Sequence, residues 1–251
     1  MFNFFVENSD KTDNGYIISG SDYNHIKNVL RMNIGDTFFV SCEGKSDLCE
    51  IIDFEGNAVQ VIIKEKDVNN TELPVNITLF QGLPKSDKME LIIQKAVELG
   101  VNGIVPVEMK NCVVKLDDKK KVSKVSRWQS ISESAAKQSK RNLIPEIGNV
   151  ISFSQMFSCI NDYDLFLVPY ENENGMKATV NALSAIKRGM KIGILIGPEG
   201  GFAVKEIEKL TEAAAKTVSL GKRILRTETA AITALSLLML YTEMNLGGDT
   251  D

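Results

Sequence analysis

One stretch of this chain, from Lys191 to Tyr241, leaves few choices of fold. It reads KIGILIGPEGGF, then a charged segment, then VSLGKRILRTETAAITALSLLMLY. Residues 192–196 form an unbroken apolar run with the length and β-branched content of a strand buried on both faces. The run stops at Gly197-Pro198-Glu199-Gly200-Gly201, where the glycines let the backbone turn sharply and let a ligand come close. A helical pattern follows, with Val204, Ile207, Leu210 and Ala214 on one face and Lys205, Glu206, Glu208 and Lys209 around the rest. A second short strand, predicted over residues 217–220, enters another loop, Gly221-Lys222-Arg223-Ile224-Leu225-Arg226. Two loops at the ends of two buried strands make the ligand crevice of an open α/β sheet.

The glycine spacing narrows what that crevice holds. A dinucleotide fingerprint needs G-x-G-x-x-G and an acid about twenty residues later, a position taken here by Gly221. The phosphate-cradling pattern G-x-x-x-x-G-K-[ST] is absent. The loops suit a ligand held by backbone amides and carbonyls, such as an adenosine without phosphates. Alone, GPEGG is as well read as a tight turn between strand and helix. The second loop, followed by Arg226-Thr227-Glu228-Thr229, shifts the balance towards a site.

Composition excludes several other classes. The chain is 43% hydrophobic and 25% charged over 251 residues, the profile of a soluble globular protein of one large or two modest domains. Its start lacks the basic segment and cleavage site of a secretory signal. The apolar run over residues 230–241 is shorter than the ~18–20 residues that cross a bilayer. The expectation is a cytoplasmic protein without a membrane partner. Cys42, Cys49, Cys112 and Cys159 are scattered and His25 is the sole histidine, so neither a metal site nor a disulfide framework is expected. The net charge of −4 speaks against nucleic acid, but its distribution does not. Residues 110–141 carry ten lysines and arginines against Asp117, Asp118 and Glu133. Such a run is most often a solvated helix face; within an acidic chain it is also a candidate for phosphate-backbone contact.

Residues 1 to about 70 read as short strands (4–6, 16–18, 37–42, 48–53 and 58–64) punctuated by Asn14-Gly15, Glu43-Gly44 and Glu55-Gly56-Asn57, the pattern of a small β-barrel. One short helix over 22–30, capped by Asp22 or Ser21, interrupts them. The polar stretch Asp67–Pro74 marks a boundary. Beyond it, predicted strands at 75–81, 104–109 and 164–169 alternate with helices at about 86–99, through the basic segment containing Trp128, Ile131 and Ala135, and at 176–187. This is a parallel α/β sheet. In the helix over 86–99, Met89, Ile92, Ile93, Ala96 and Val97 share one face and Gly100 closes the end. The last helix, about 229–244, is apolar on nearly every side, so it is buried or paired with another chain.

LIGPEGGF and LGKRILRTETA together resemble the signature of the SPOUT class of S-adenosylmethionine-dependent RNA methyltransferases, and within it the RsmE family. The likeness extends to QGLPKSDKMELIIQKAVELGV (81–101), AAKQSKR (135–141) and HIKNVLRMNIGD (25–36), in order along essentially the whole chain. It implies a PUA-like β-barrel RNA-binding domain over 1–72. It implies a SPOUT methyltransferase domain with a C-terminal trefoil knot over 73–251. The implied activity is methylation of N3 of a decoding-site uridine in 16S ribosomal RNA, with the assembled small subunit as partner and a homodimer whose active site lies at the subunit boundary. S-adenosylmethionine would sit among Leu167, Pro169, Ile196, Gly197, Glu199, Gly200, Gly201, Leu220, Gly221, Ile224, Leu225, Arg226 and Thr229. Arg226 would face the charge that develops on the uracil ring. Glu228 is either a second catalytic group or an acid that stabilises the start of its helix. RNA contacts would come from Arg31, Lys137, Gln138, Lys140, Arg141 and Arg223; His25 reads as a packed residue. The family's M-x-R-F-F opening has Asn3 in place of arginine here, so that contact is lost or supplied by Lys11 or Lys27. Two other readings stay open: a methyltransferase of this fold acting on another rRNA or tRNA position, and a non-catalytic RNA-binding protein.

Overall fold

The computed structural model describes residues 1–247 apart from Asn69, Ser86 and Asn174. The predicted start of the second helix at 86 and part of the polar boundary at 69 lie outside the described residues. The chain divides into two compact units, one of residues 1–72 and 136–144, the other of 73–135 and 145–251. The segment 136–144, which the sequence groups with the second domain, thus belongs to the first unit.

The first unit is a curled five-stranded sheet of β1 (Asn3–Phe5), β2 (Gly15–Ser19), β3 (Thr37–Cys42), β4 (Lys45–Glu55) and β5 (Ala58–Glu65), in the order β1-β3-β4-β5-β2. Alternation along the strands turns Phe4, Phe38, Val40, Ile51, Val59 and Val61 onto one core, which Ile26 completes. Each such side chain contributes about 1.5–3 kcal/mol relative to exposure. The β3–β4 and β4–β5 hairpins turn on Glu43-Gly44 and Gly56-Asn57, all four at positive φ, the backbone that tight two-residue hairpins require.

The predicted helix over 22–30 begins earlier, as α1 (Gly20–Asn24), and continues as one wide π-type turn over His25–Val29. Ser19, not Ser21 or Asp22, occupies its N-cap position. Asp22 is engaged elsewhere, in an ion pair with Lys137 at 2.9 Å. His25 packs edge-on against Phe4, as expected of a structural histidine.

The second unit carries β6 (Asn76–Gly82), α2 (Lys88–Glu98), β7 (Gly103–Glu108), α3 (Asp118–Ser139, whose last turn joins the first unit), β8 (Glu146–Ile147), β9 (Ile151–Ser152), α4 (Phe153–Ser158), β10 (Leu165–Pro169), α5 (Lys177–Ser184), β11 (Lys191–Ile196), α6 (Val204–Glu212), β12 (Lys216–Val218) and α7 (Thr227–Leu246). The strands pair in parallel in the order β12-β10-β11-β6-β7-β8, with β9 beside β7. The chain enters at β6, builds outwards to β8, then returns to lay β11 between β6 and β10. The carboxyl ends of β10, β11 and β12 therefore lie side by side, where ligands bind in such sheets. Gly193 in the middle of β11 is a steric necessity, because a Cβ there would meet the Phe166 ring at 2.4 Å.

The predicted face of α2, Met89, Ile92, Ile93, Ala96 and Val97, is buried while Leu91 is exposed, and Gly100 follows the helix end with φ of 90°. The α6 face was misjudged from sequence. Val204 is 73% exposed, Ala214 lies beyond the helix and is exposed, and the buried side is formed by Leu210 and by Glu206, which is only 7% exposed. Glu206 is buried because its carboxylate accepts the Ala203 amide at 2.8 Å and the Lys110 amide at 3.0 Å. α7 packs against α2 and β11 through Ala231, Ala234, Leu235 and Leu238, while Leu240 and Met244 remain exposed. Among the described residues, no helix is long and apolar enough to cross a membrane, and no cluster of histidine, cysteine or carboxylate side chains is disposed to hold a metal.

Candidate active site

The loops following β10, β11 and β12 enclose a cavity of about 850 Å³. Its wall contains Pro169 at the end of β10, Ile196 at the end of β11 with Gly197, Glu199 and Gly201 from the loop after it, and Leu220, Gly221, Arg223, Ile224, Leu225 and Arg226 from the loop after β12. These eleven residues were expected at the site from sequence. Leu167, Gly200, Thr229 and Glu228 are not on the wall. Leu167 is buried in β10, Gly200 backs onto Asn111, and Thr229 is exposed on α7. Glu228 is instead turned to Lys88, 3.2 Å away. The wall also includes Tyr170 and Glu171, expected to join the crevice with Pro169 at the end of their strand, and Lys88, Phe202, Lys222 and Thr227, none of which the motifs singled out as a contact. Thr227 lies inside the LRTETA motif and was within reach of the sequence reading; Lys88 lies inside QGLPKSDKMELIIQKAVELGV, but its place at the start of an amphipathic helix does not show that it reaches the cavity.

The bend after β11 is held from several sides. Gly201, at φ of 65°, closes a turn with its amide on the Pro198 carbonyl at 2.9 Å. Asn111 donates to the Gly200 and Gly201 carbonyls at 3.0 and 3.2 Å. The Thr227 hydroxyl donates to the Gly197 carbonyl at 2.7 Å while accepting from the buried Gln81 amide at 2.9 Å. One hydroxyl thus ties the end of β6, the β11 loop and the start of α7. Thr227→Val keeps the shape but removes one of the two acceptors of the Gln81 amide, the other being the Gly82 carbonyl, and takes the hydroxyl donor from the Gly197 carbonyl. It is expected to cost about 1–3 kcal/mol, measurable by urea unfolding.

Charge is distributed unevenly around the cavity. Glu199 accepts the Lys85 amide at 3.0 Å and pairs with Lys88 at 3.1 Å. Burial pushes its carboxyl up, but those two partners and its own amide outweigh the burial, and it sits below the usual carboxylate range. It is a poor proton acceptor as placed. Lys88 is raised by the Glu199 and Glu228 carboxylates and stays cationic. Lys222, Arg223 and Arg226 are exposed on one short loop, and among the described residues none of them makes an ion pair. Ile224, at the tip of that loop, is 84% exposed.

The other expected RNA contacts fall in the first unit and divide. Arg31, Gln138 and Lys140 are exposed, Arg31 and Lys140 at positive φ. Lys137 is paired with Asp22. Arg141 does not fit the expectation: its side chain is 3% exposed and its Nε donates to both Glu72 oxygens at 2.9 and 3.0 Å. It is a buried ion-pair partner. Asn3 is buried as well, donating to the Arg141 carbonyl and accepting from Ser41, so it does not stand at an RNA-facing position. Of its suggested substitutes, Lys11 pairs with Glu43, and Lys27 lies over the Tyr23 and Phe54 rings.

Family models place this combination, a parallel sheet with three loops gathered at its carboxyl edge and a curled β unit, in the RNA methyltransferase class. Residues 71–239 match the family described as RNA methyltransferase domain, and residues 18–64 match the RNA methyltransferase PUA domain. A ribosomal RNA small subunit methyltransferase E from Bacillus subtilis is 42% identical over 93% of both chains. One from Mesomycoplasma hyopneumoniae is 35% identical over 94% of this chain and 98% of its own. The chain belongs to the ribosomal RNA small subunit methyltransferase E family. A crystal structure of the Neisseria gonorrhoeae member bound to S-adenosyl methionine superposes with a TM-score of 0.79 at 29% identity, covering 96% of this chain and 97% of that one.

Proposed function

We propose that this protein transfers a methyl group from S-adenosylmethionine to N3 of a decoding-site uridine in 16S ribosomal RNA, acting in the cytoplasm on the assembled small subunit. The observation that carries the reading is the cavity at the ends of β10, β11 and β12. Its volume is within the range of small-molecule sites. The glycines at 197 and 201 leave the backbone open to a ligand, and no phosphate-cradling loop is present, as suits a nucleoside without phosphates. Pro169, Ile196, Gly197, Gly201, Leu220, Ile224 and Leu225 would hold the cofactor, which supplies the electrophilic methyl on its sulfonium.

The chain's own part is orientation and charge. The N3 imide is weakly acidic, and once its proton leaves, negative charge spreads to the ring oxygens. Arg226, exposed on the cavity wall without an ion-pair partner among the described residues, meets that charge. Glu199 is engaged by Lys85 and Lys88 and serves to hold its loop. Arg223 and Lys222 beside the cavity, and Arg31, Gln138 and Lys140 in the first unit, are the proposed contacts to RNA. The exposed Leu240 and Met244 on α7 support pairing with a second copy, and the reading carries with it the C-terminal trefoil knot.

Mass spectrometry of 16S ribosomal RNA from cells lacking the gene tests the assignment. One methylated uridine should be missing and should return with the wild-type gene. A full complement of methylated uridines in the deletion, or a loss at another RNA, overturns it.

A further inference from the structure

Lys88 is the first residue of α2. Its ammonium lies 3.1 Å from Glu199, in the loop after β11, and 3.2 Å from Glu228, in the first turn of α7, and it lines the cavity. One cation thus bridges two elements that are distant in sequence and border the same cavity. The other charged groups nearby are occupied or lie elsewhere on the wall. Glu90 of α2 is held by Arg127 at 2.8 Å, and Arg223 and Arg226 stand on the loop after β12. Without Lys88, the Glu199 and Glu228 carboxylates would face one another with no cation between them, an arrangement that like charges disfavour.

We propose that Lys88 is a positioning residue for cofactor binding: it fastens the loop 197–201 to the start of α7, so that the loops after β11 and β12 meet the ligand at a fixed separation. The inference rests on the S-adenosylmethionine reading above. A small displacement of a binding loop lowers affinity steeply, whereas an ion pair at a partly exposed cavity edge contributes little to global stability. The Thr227 hydroxyl holds Gly197 at the start of that loop and, with the buried face of α7, keeps the helix in place; Lys88 holds Glu199, two residues further along the loop.

Calorimetric titration of S-adenosylmethionine into wild type, K88M, K88R and the double variant K88M/E228Q tests this, with the unfolding midpoint of each variant as control. K88M should raise Kd about tenfold or more with little change in midpoint, K88R should stay within about threefold of wild type, and K88M/E228Q should recover most of the loss because the repulsion is gone. Wild-type affinity in K88M overturns the inference and leaves the cofactor reading standing. A loss that neither K88R nor the double variant relieves also overturns it, since Lys88 would then be a direct ligand contact. A wild-type protein that does not bind S-adenosylmethionine overturns both.

Discussion

Arg141→Ala should destabilise the first unit by about 3–5 kcal/mol, seen as a lower urea midpoint with little change in slope. Glu72 accepts both Arg141 and the Asn142 amide, at 2.8 Å for the latter, and the Arg141 carbonyl accepts from Asn3. Truncation to alanine leaves the Glu72 carboxylate largely out of water with an amide as its remaining partner. Removing both charges in R141M/E72M should cost much less, because no uncompensated charge remains. RNA affinity of the folded fraction, and its dependence on salt, should be unchanged. A stable R141A protein with weakened, less salt-sensitive RNA binding would return Arg141 to the RNA surface.

The largest catalytic effect is expected at Arg226. Arg226→Ala should lower kcat by about 10²–10³-fold, the loss typical when one preorganised donor to a developing anion is removed. Cofactor Kd and the unfolding midpoint should hardly move. The side chain is exposed and makes no ion pair among the described residues, and the link to α7 runs through its backbone carbonyl, which accepts the Ala230 amide at 2.8 Å. Arg226→Lys keeps the charge but loses the planar fork and should fall between the two. Methyl transfer at the wild-type rate in R226A would remove this residue from the mechanism.

What the sequence made legible is what depends on near neighbours. Residues 37–42 were read as a strand to the residue, because alternation and the Glu43-Gly44 turn define it locally. The buried face of α2 and the two loops at the cavity followed from helical period and from glycine placement. What was misread depends on distant partners. A run of ten cations gives no sign that Arg141 turns inwards to a glutamate 69 positions earlier. Glu206 looked solvated because its second acceptor contact is the amide of Lys110, 96 positions away. Lys88 was overlooked for the same reason, since Glu199 and Glu228 reach it only through the tertiary fold.

The grouping of residues 136–144 with the N-terminal strands bears on how such a protein can be taken apart. A gene cut once, after codon 72, yields an N-terminal fragment without the guanidinium that neutralises Glu72, and a C-terminal fragment bearing an arginine with nowhere to bury it. The first unit is therefore not a cassette to be swapped by simple fusion. A graft between relatives must carry both pieces, or bring a matched acid and base with it.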